Sequence, residues 1–336
     1  MNSILPSTTI FSSTLITSTF IALSSSHWLL MWMALELNLL SFIPLITSSS
    51  NHQETEAAIK YFMAQTTGSA LLLFGVLLTY SSPPTFILPL VTPMVLSSLL
   101  LKIGAAPLHF WFPNVMASLS WVSCLILSTW QKIIPISILI SLNLSSNKLI
   151  MVVSALSSLI GGIGGMNQTF LRPLLAYSSI GHLGWVLGIS VISLPYSLMY
   201  FLIYCTVLTP LILILNSHQL STMRQSLSIK SAPQQSQTAL ILTLLSLGGL
   251  PPLFGFLPKW LALEQLTLAP STTMMTLALL AGALMNLFYY LNIAFSLSLP
   301  PLSMAAPTPP NSRMTLLSLP ALTLTLLSTP ILMTLI

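Results

Sequence analysis

Residues 102–113 read Lys-Ile-Gly-Ala-Ala-Pro-Leu-His-Phe-Trp-Phe-Pro, and residues 248–259 read Gly-Gly-Leu-Pro-Pro-Leu-Phe-Gly-Phe-Leu-Pro-Lys. Both follow Gly-x-x-Pro-x-x-Phe-x-Phe, counted from Gly104 and Gly248, with Pro113 or Pro258 at once or one residue later. Each stretch interrupts an apolar run too long for one straight helix, and Gly and Pro are the costliest residues in a helix interior. Interrupted apolar segments recurring in two halves of a chain point to an inverted-repeat transporter with discontinuous helices. Two ordinary proline kinks would leave a similar trace. The bordering lysines, Lys102 and Lys259, favour true breaks, because freed backbone carbonyls and water can solvate a charge there.

The rest of the chain supplies the membrane that such helices need. Only 4% of the 336 residues are charged and 54% are apolar, with a mean hydropathy of +0.93; a soluble domain carries about 25% charge. Much of the remainder is Ser and Thr, which a membrane helix accommodates by bonding its own carbonyls. Length is therefore better divided by the roughly 20 residues of a bilayer crossing than by the size of a soluble domain. The fold class is all-α and polytopic. Cys124 and Cys205 lie alone in apolar runs and read as packing residues. The N-terminal stretch has neither a basic region nor a small-residue cleavage site, and reads as a first spanning helix. The scattered basic residues do not form a nucleic-acid surface.

Windows of bilayer length fall near 4–25, 28–49, 59–80, 86–106, 118–140, 147–167, 172–192, 195–216, 236–262, 272–297 and 314–335, which is eleven helices. They group into a first repeat over about 1–140, a second over about 147–297 and a C-terminal helix over 314–335 in one transmembrane domain. The longest polar connections, 217–235 and 298–313, are too short for a soluble domain. Eleven crossings put Lys60, Arg172, Arg224, Lys230 and Arg313 on the side of the N-terminus and only Lys148 on the other. The positive-inside rule then places the N-terminus inside and the C-terminus outside.

Four charges stand in apolar surroundings: Glu36, Lys102, Lys132 and Lys259. Each costs roughly 2.5–3.5 kcal/mol at a helix centre on insertion scales. Structural ion pairing is one reading, but it sets three lysines against one glutamate. The functional reading is a proton path, since burial favours the neutral form of either group and an opposite charge favours the ionised form. Against about 150 mV, moving one charge costs ~3.5 kcal/mol, a swing in proton affinity that burial is able to supply. His182, in Tyr-Ser-Ser-Ile-Gly-His-Leu-Gly-Trp, suits a relay because imidazole titrates near neutrality, although a lone helical His also serves in packing. His109, at the first break, is similar but nearer an end; His27, His52 and His218 read as loop residues. Gly161-Gly-Ile-Gly-Gly165 has no preceding strand and reads as a helix-packing motif, not a dinucleotide loop. No Walker lysine, Cys cluster, haem His pair or nucleophile elbow is found, so no redox cofactor is expected in this chain.

Residues 101–111, Thr-Trp-Gln-Lys (129–132), residues 175–185 and residues 245–260 closely resemble the antiporter-like membrane-arm subunits of respiratory NADH–ubiquinone oxidoreductase, complex I. The resemblance covers most of the chain. It implies Glu36 as the acidic partner of Lys102, Lys132 as the connecting lysine, His182 on a central hydrophilic axis and Lys259 at the second break towards the exit. It also implies a proton-translocating subunit of the mitochondrial inner membrane, with the N-terminus in the matrix and the C-terminus in the intermembrane space. FMN, iron–sulfur clusters and ubiquinone are then expected in other subunits. The partners implied are the antiporter-like chain 4, chain 4L, chain 6, accessory subunits and lipid. Asn114 stands where a Glu is common, and Pro173 where a Lys is common; both departures are expected near surfaces. A stand-alone cation/proton antiporter is the alternative, and a scaffold between pump subunits is a third reading.

The charge asymmetry predicts that tags or protease sites at the two ends report opposite sides of the membrane. Both ends reacting from one side would contradict it.

Overall fold

The structure, a computed structural model, describes residues 6–49, 51–80, 88–142, 147–222, 234–251, 253–269 and 272–298. Among them the regular structure is helical, apart from one isolated antiparallel bridge between Phe170 and Thr222. The chain divides into two compact units between Asn147 and Lys148. The first holds α1 (Pro6–Ser24), α2 (Trp28–Ile46), α3 (His52–Tyr80), α4 (Leu88–Ile103), α5 (Trp111–Ser118), α6 (Trp121–Ser128) and α7 (Trp130–Ser141). The second holds α8 (Asn147–Met166), α9 (Leu171–Ser190), α10 (Leu194–Ser217), α11 (Gln234–Gly248), α12 (Phe256–Thr267) and α13 (Thr273–Ser298). The expected helix 314–335, and Arg224, Lys230 and Arg313, lie outside the described residues.

Among the described residues, six helices are long and apolar enough to cross a membrane, with α6 and α7 counted as one run. Large apolar side chains such as Phe20, Leu37 and Phe74 in the first unit, and Leu284, Phe288 and Phe295 in the second, are exposed, as lipid-facing residues are. Several hydroxyls are turned inward. Ser98, Ser157, Ser178, Ser179, Thr243 and Ser246 are buried and each donates to the carbonyl three residues back on its own helix. The polar atoms are thereby satisfied locally, as a medium without water requires.

Two boundaries differ from the sequence expectation. Helix α3 begins at His52 rather than near 59, because His-Gln-Glu-Thr-Glu is polar yet helix-competent, and Glu54 and Thr55 donate their N–H groups to the Asn51 carbonyl. Lys60 therefore lies on this helix, not in a loop, and pairs with Glu56 at 2.6 Å. The 118–140 window is two helices meeting at Thr129, whose hydroxyl and N–H both turn to the Leu125 carbonyl. Pro173 is buried in the first turn of α9, and Asn114 on α5 is exposed. A proline fits there because first-turn N–H groups have no helical acceptor.

Both interrupted stretches are real breaks. Gly104, with φ of +76°, and Gly249, with φ of +80°, terminate α4 and α11 in the left-handed conformation that only glycine adopts freely. Ala105 donates back to Leu100 O and Leu250 to Leu245 O, the six-residue bond that closes a helix C-terminus. In the second stretch the left-handed residue is the second glycine, Gly249, not Gly248 with which the shared motif begins.

In the second unit, glycines set how closely helices approach. A Cβ on Gly161 would lie 2.5 Å from the Gly181 nitrogen and 2.7 Å from the Tyr177 carbonyl on α9. Gly162 faces Met285 and the Gly282 carbonyl on α13, and Gly165 faces Tyr289. The run Gly161–Gly165 is thus a packing seam between α8 and its neighbours.

Gly161→Ala is predicted to destabilise the protein by ~1–3 kcal/mol, because its new methyl meets backbone that has nowhere to move. Gly248→Ala, whose Cβ would meet nothing closer than 3.8 Å, serves as the tolerated control. Thermal midpoints of the two variants in the same detergent check the ranking.

Candidate functional site

In the first unit the site forms around the C-terminal end of α4. Breaking a helix there leaves carbonyls that lipid cannot solvate, and three of them find donors. Leu100 O receives the N–H groups of Gly104 and Ala105. Leu101 O receives the indole N–H of Trp111 at 2.9 Å, and Lys102 O receives the Gln65 amide at 3.2 Å. The break is therefore held by backbone, by α5 and by α3, and not by the Lys102 side chain. Gly68 on α3 makes room for that side chain, since a Cβ there would come within 3.0 Å of Lys102 Cγ.

Lys102 and Lys132 are both buried, at 5% and 2% exposure. They line one cavity together with Tyr61, Gln65, Trp111, Phe112 and Gln131, with room for about one water molecule. The Lys132 ammonium also lies 4.4 Å from the centre of the Phe112 ring, a cation–π contact that offsets part of the cost of burial. Its position follows from local sequence: Lys132 donates its N–H to Thr129 O, three residues back, immediately after the kink. Pro135 follows one turn later. Glu36 on α2 is half-buried and lies within electrostatic reach of Lys102 and Tyr61, but is not in ion-pair contact with Lys102. Glu36 is thus a neighbour of Lys102 and not half of a locked ion pair.

In the second unit the lysine does different work. Lys259, on α12 and 6% exposed, reaches back across the break and donates to Gly248 O at 2.7 Å, with Leu247 O at 3.5 Å. It occupies the space that a Cβ on Gly249 would take, 2.6 Å from its ammonium. The negative end of the α11 dipole and its last carbonyls compensate the buried charge. Gly255 makes the chain's return possible, because a Cβ there would overlap the Ser246 carbonyl.

His182 on α9 is buried, with Nδ1 3.0 Å from the Tyr200 hydroxyl and its ring 5.0 Å from that of Tyr204. His182, Tyr200, Tyr204, Ser246, Leu247, Gly255 and Pro258 line a second cavity of about one water molecule. The structure therefore brings His182 to the second break, whose other flank carries Lys259. The hydroxyls of Tyr204, Tyr289 and Tyr290 gather near Ser178 and Ser179, one turn from His182.

Sequence reasoning missed Tyr61, Gln65 and Gln131 in the first unit and the tyrosines of the second. One signal was present: Tyr61, Gln65 and Gly68 recur at four and three residues along one face of α3, the face that is buried. His109 is buried at the first break, with Nδ1 3.2 Å from Pro107 O and its ring against Phe110. It does not line the lysine cavity.

The profile of the NADH:quinone oxidoreductase/Mrp antiporter transmembrane family matches residues 25–286. NADH-ubiquinone oxidoreductase chain 2 of Lumbricus terrestris is 46% identical over 302 residues, covering 88% of each protein. The chain 2 protein of Xenopus laevis is 43% identical, covering 83% of each. A chain of respiratory complex I from Thermus thermophilus superposes with a TM-score of 0.85 at 24% identity, over 98% of this chain and 79% of that one. A chain of the Mrp complex from Dietzia superposes at 0.76 and 20% identity, over 90% and 62%. With a site of buried lysines at two helix breaks and relatives of this closeness over nearly its whole length, the chain belongs to the NADH:quinone oxidoreductase/Mrp antiporter membrane family, alongside the NADH-ubiquinone oxidoreductase chain 2 proteins.

Proposed function

We propose that this chain is a proton-translocating subunit of a respiratory NADH:ubiquinone oxidoreductase, moving protons through Glu36, Lys102, Lys132, His182 and Lys259. The observation that carries the reading is the shared cavity of Lys102 and Lys132. Two amines that line one water-sized space repel when both are charged, so positive charge arriving at one expels a proton from the other. Glu36, within reach but not in contact, biases the first lysine without trapping its proton. In the second unit the Lys259 ammonium holds the α11 carbonyls, so loss of its proton weakens a contact that closes the break. His182 beside that break is placed to exchange protons there.

The function is exercised within a complex that supplies the redox chemistry: FMN, iron–sulfur clusters and ubiquinone belong to other subunits. The family supports membership of the membrane arm, with chain 4, chain 4L, chain 6 and accessory subunits as neighbours. The location is the mitochondrial inner membrane, with the N-terminus in the matrix. The two repeats, about 1–140 and 147–297, would each provide one half of the path. A stand-alone cation/proton antiporter is the second reading, favoured by the Mrp likeness; purification with a flavin- and iron–sulfur-containing assembly separates the two.

Lys102→Ala is expected to leave the assembled complex at normal abundance, because Gly104, Trp111 and Gln65 hold the break without that side chain. Its coupled turnover and pumping should fall about tenfold or more, the loss of ~1.4 kcal/mol of barrier lowering. Normal pumping by this variant would make Lys102 structural and remove the central assignment. Lys259→Arg keeps a charged donor beside Gly248 O but is not able to release its proton. It is expected to assemble and to lose pumping and coupled turnover; near-normal proton translocation would take Lys259 out of the path.

A further inference from the structure

The cavity between Lys102 and Lys132 has a third nitrogen that the proton path as described does not use. Gln131 lines it beside Lys132. Its oxygen is engaged, accepting from the Tyr61 hydroxyl at 3.3 Å. Its amide nitrogen is buried with no acceptor among the described residues. Gln65 has the complementary arrangement: its amide nitrogen donates to Lys102 O, and its oxygen is left as an acceptor on the same cavity.

A charged ammonium carries only donors. A cavity lined by Lys102, Lys132 and Gln131 therefore offers several N–H donors. A water molecule supplies two lone pairs and two O–H groups, and the space holds about one. We propose that Gln131 and Gln65 position a single water molecule that carries the proton between Lys102 and Lys132. Gln131 donates to one lone pair and the charged lysine donates to the other. The water directs one O–H at the neutral amine and its second at the Gln65 oxygen. All four of its hydrogen bonds are then made, and the pair of lysines is bridged in the direction that the charge difference sets.

The transfer balances. One N–H bond of the Lys102 ammonium breaks and its proton joins the water oxygen, while an O–H bond of that water breaks and its proton joins the Lys132 amine. Lys102 ends neutral, Lys132 ends charged and the water is regenerated. The amides suit the task because they hydrogen-bond on both sides yet neither hold nor release a proton near neutral pH. A carboxylate or imidazole at the same place would trap the proton that it should hand on. Gln131 and Gln65 are thus positioning residues.

This inference rests on the proton-path reading, and the test separates the two. Gln131→Leu fills the space with apolar atoms, whereas Gln131→Ala opens room for a further water to replace the amide. In the assembled complex, Gln131→Leu is expected to pump roughly tenfold to a hundredfold more slowly, the scale of a lost proton-transfer partner. Gln131→Ala, where a further water takes over part of the amide's hydrogen bonding, should pump more slowly than the parent but well above Gln131→Leu. NADH oxidation by an artificial acceptor, which reads the redox arm alone, should be unchanged in both. A packing role ranks them in reverse, because the near-isosteric Leu fills the site and Ala leaves a hole. Any outcome other than Leu well below Ala overturns the proposal, and Gln131→Met replaces Leu in the ranking if Leu does not assemble. If Lys102→Ala also pumps normally, the proton-path reading itself fails. If Lys102→Ala stops pumping while the two Gln131 variants are equal, only the positioned water is refuted.

Discussion

A backbone carbonyl in a bilayer has no water to turn to, and every helix that stops short inside the membrane must find donors for its last turn. This constraint shapes both ends of the chemistry here. At the end of α4 the donors are neutral: two backbone N–H groups, an indole and an amide. At the end of α11 the backbone solution is the same, but the side-chain donor is the Lys259 ammonium. One lysine is thereby left to a cavity that it shares with a second lysine, and the other is tied to a helix terminus. Two stretches of matching sequence leave their lysines in different surroundings because different side chains satisfy their carbonyls.

The same constraint explains why so few titratable groups suffice. Serines and threonines spend their hydroxyl protons on their own helices, which leaves the interior polar in composition but largely closed to proton exchange. Lys102 and Lys259 beside the breaks, Lys132 and His182 are among the buried exceptions. Small residues complete the arrangement. Gly68 admits the stem of Lys102, Gly249 admits Lys259, and Gly161 to Gly165 bring α8 close to α9 and α13.

Much of this was legible beforehand. The apolar windows marked most helix positions, and the Gly and Pro residues marked both breaks. The charges at 36, 102, 132 and 259 stood out because each is costly in an apolar run wherever its helix packs. Less legible were lengths that polarity disguised, as at the start of α3, where Lys60 was read as a loop residue. The motif's register at the second break was also misleading, since two adjacent glycines are equivalent on paper and only Gly249 takes the left-handed conformation.

What the sequence by itself determined was therefore local: which segments are apolar enough to span, where a helix must stop, and which residues carry a charge into lipid. These follow from per-residue costs that do not depend on neighbours far along the chain. Tertiary structure alone decided that Lys102 and Lys132 face one cavity, that Glu36 stands near Lys102 without touching it, and that Tyr61 engages Gln131 while Gln65 holds the Lys102 carbonyl. It also decided that Lys259 turns back to Gly248. Each of these pairings depends on which faces of separate helices meet, and a hydrogen bond between residues tens of positions apart leaves no periodic trace in either segment.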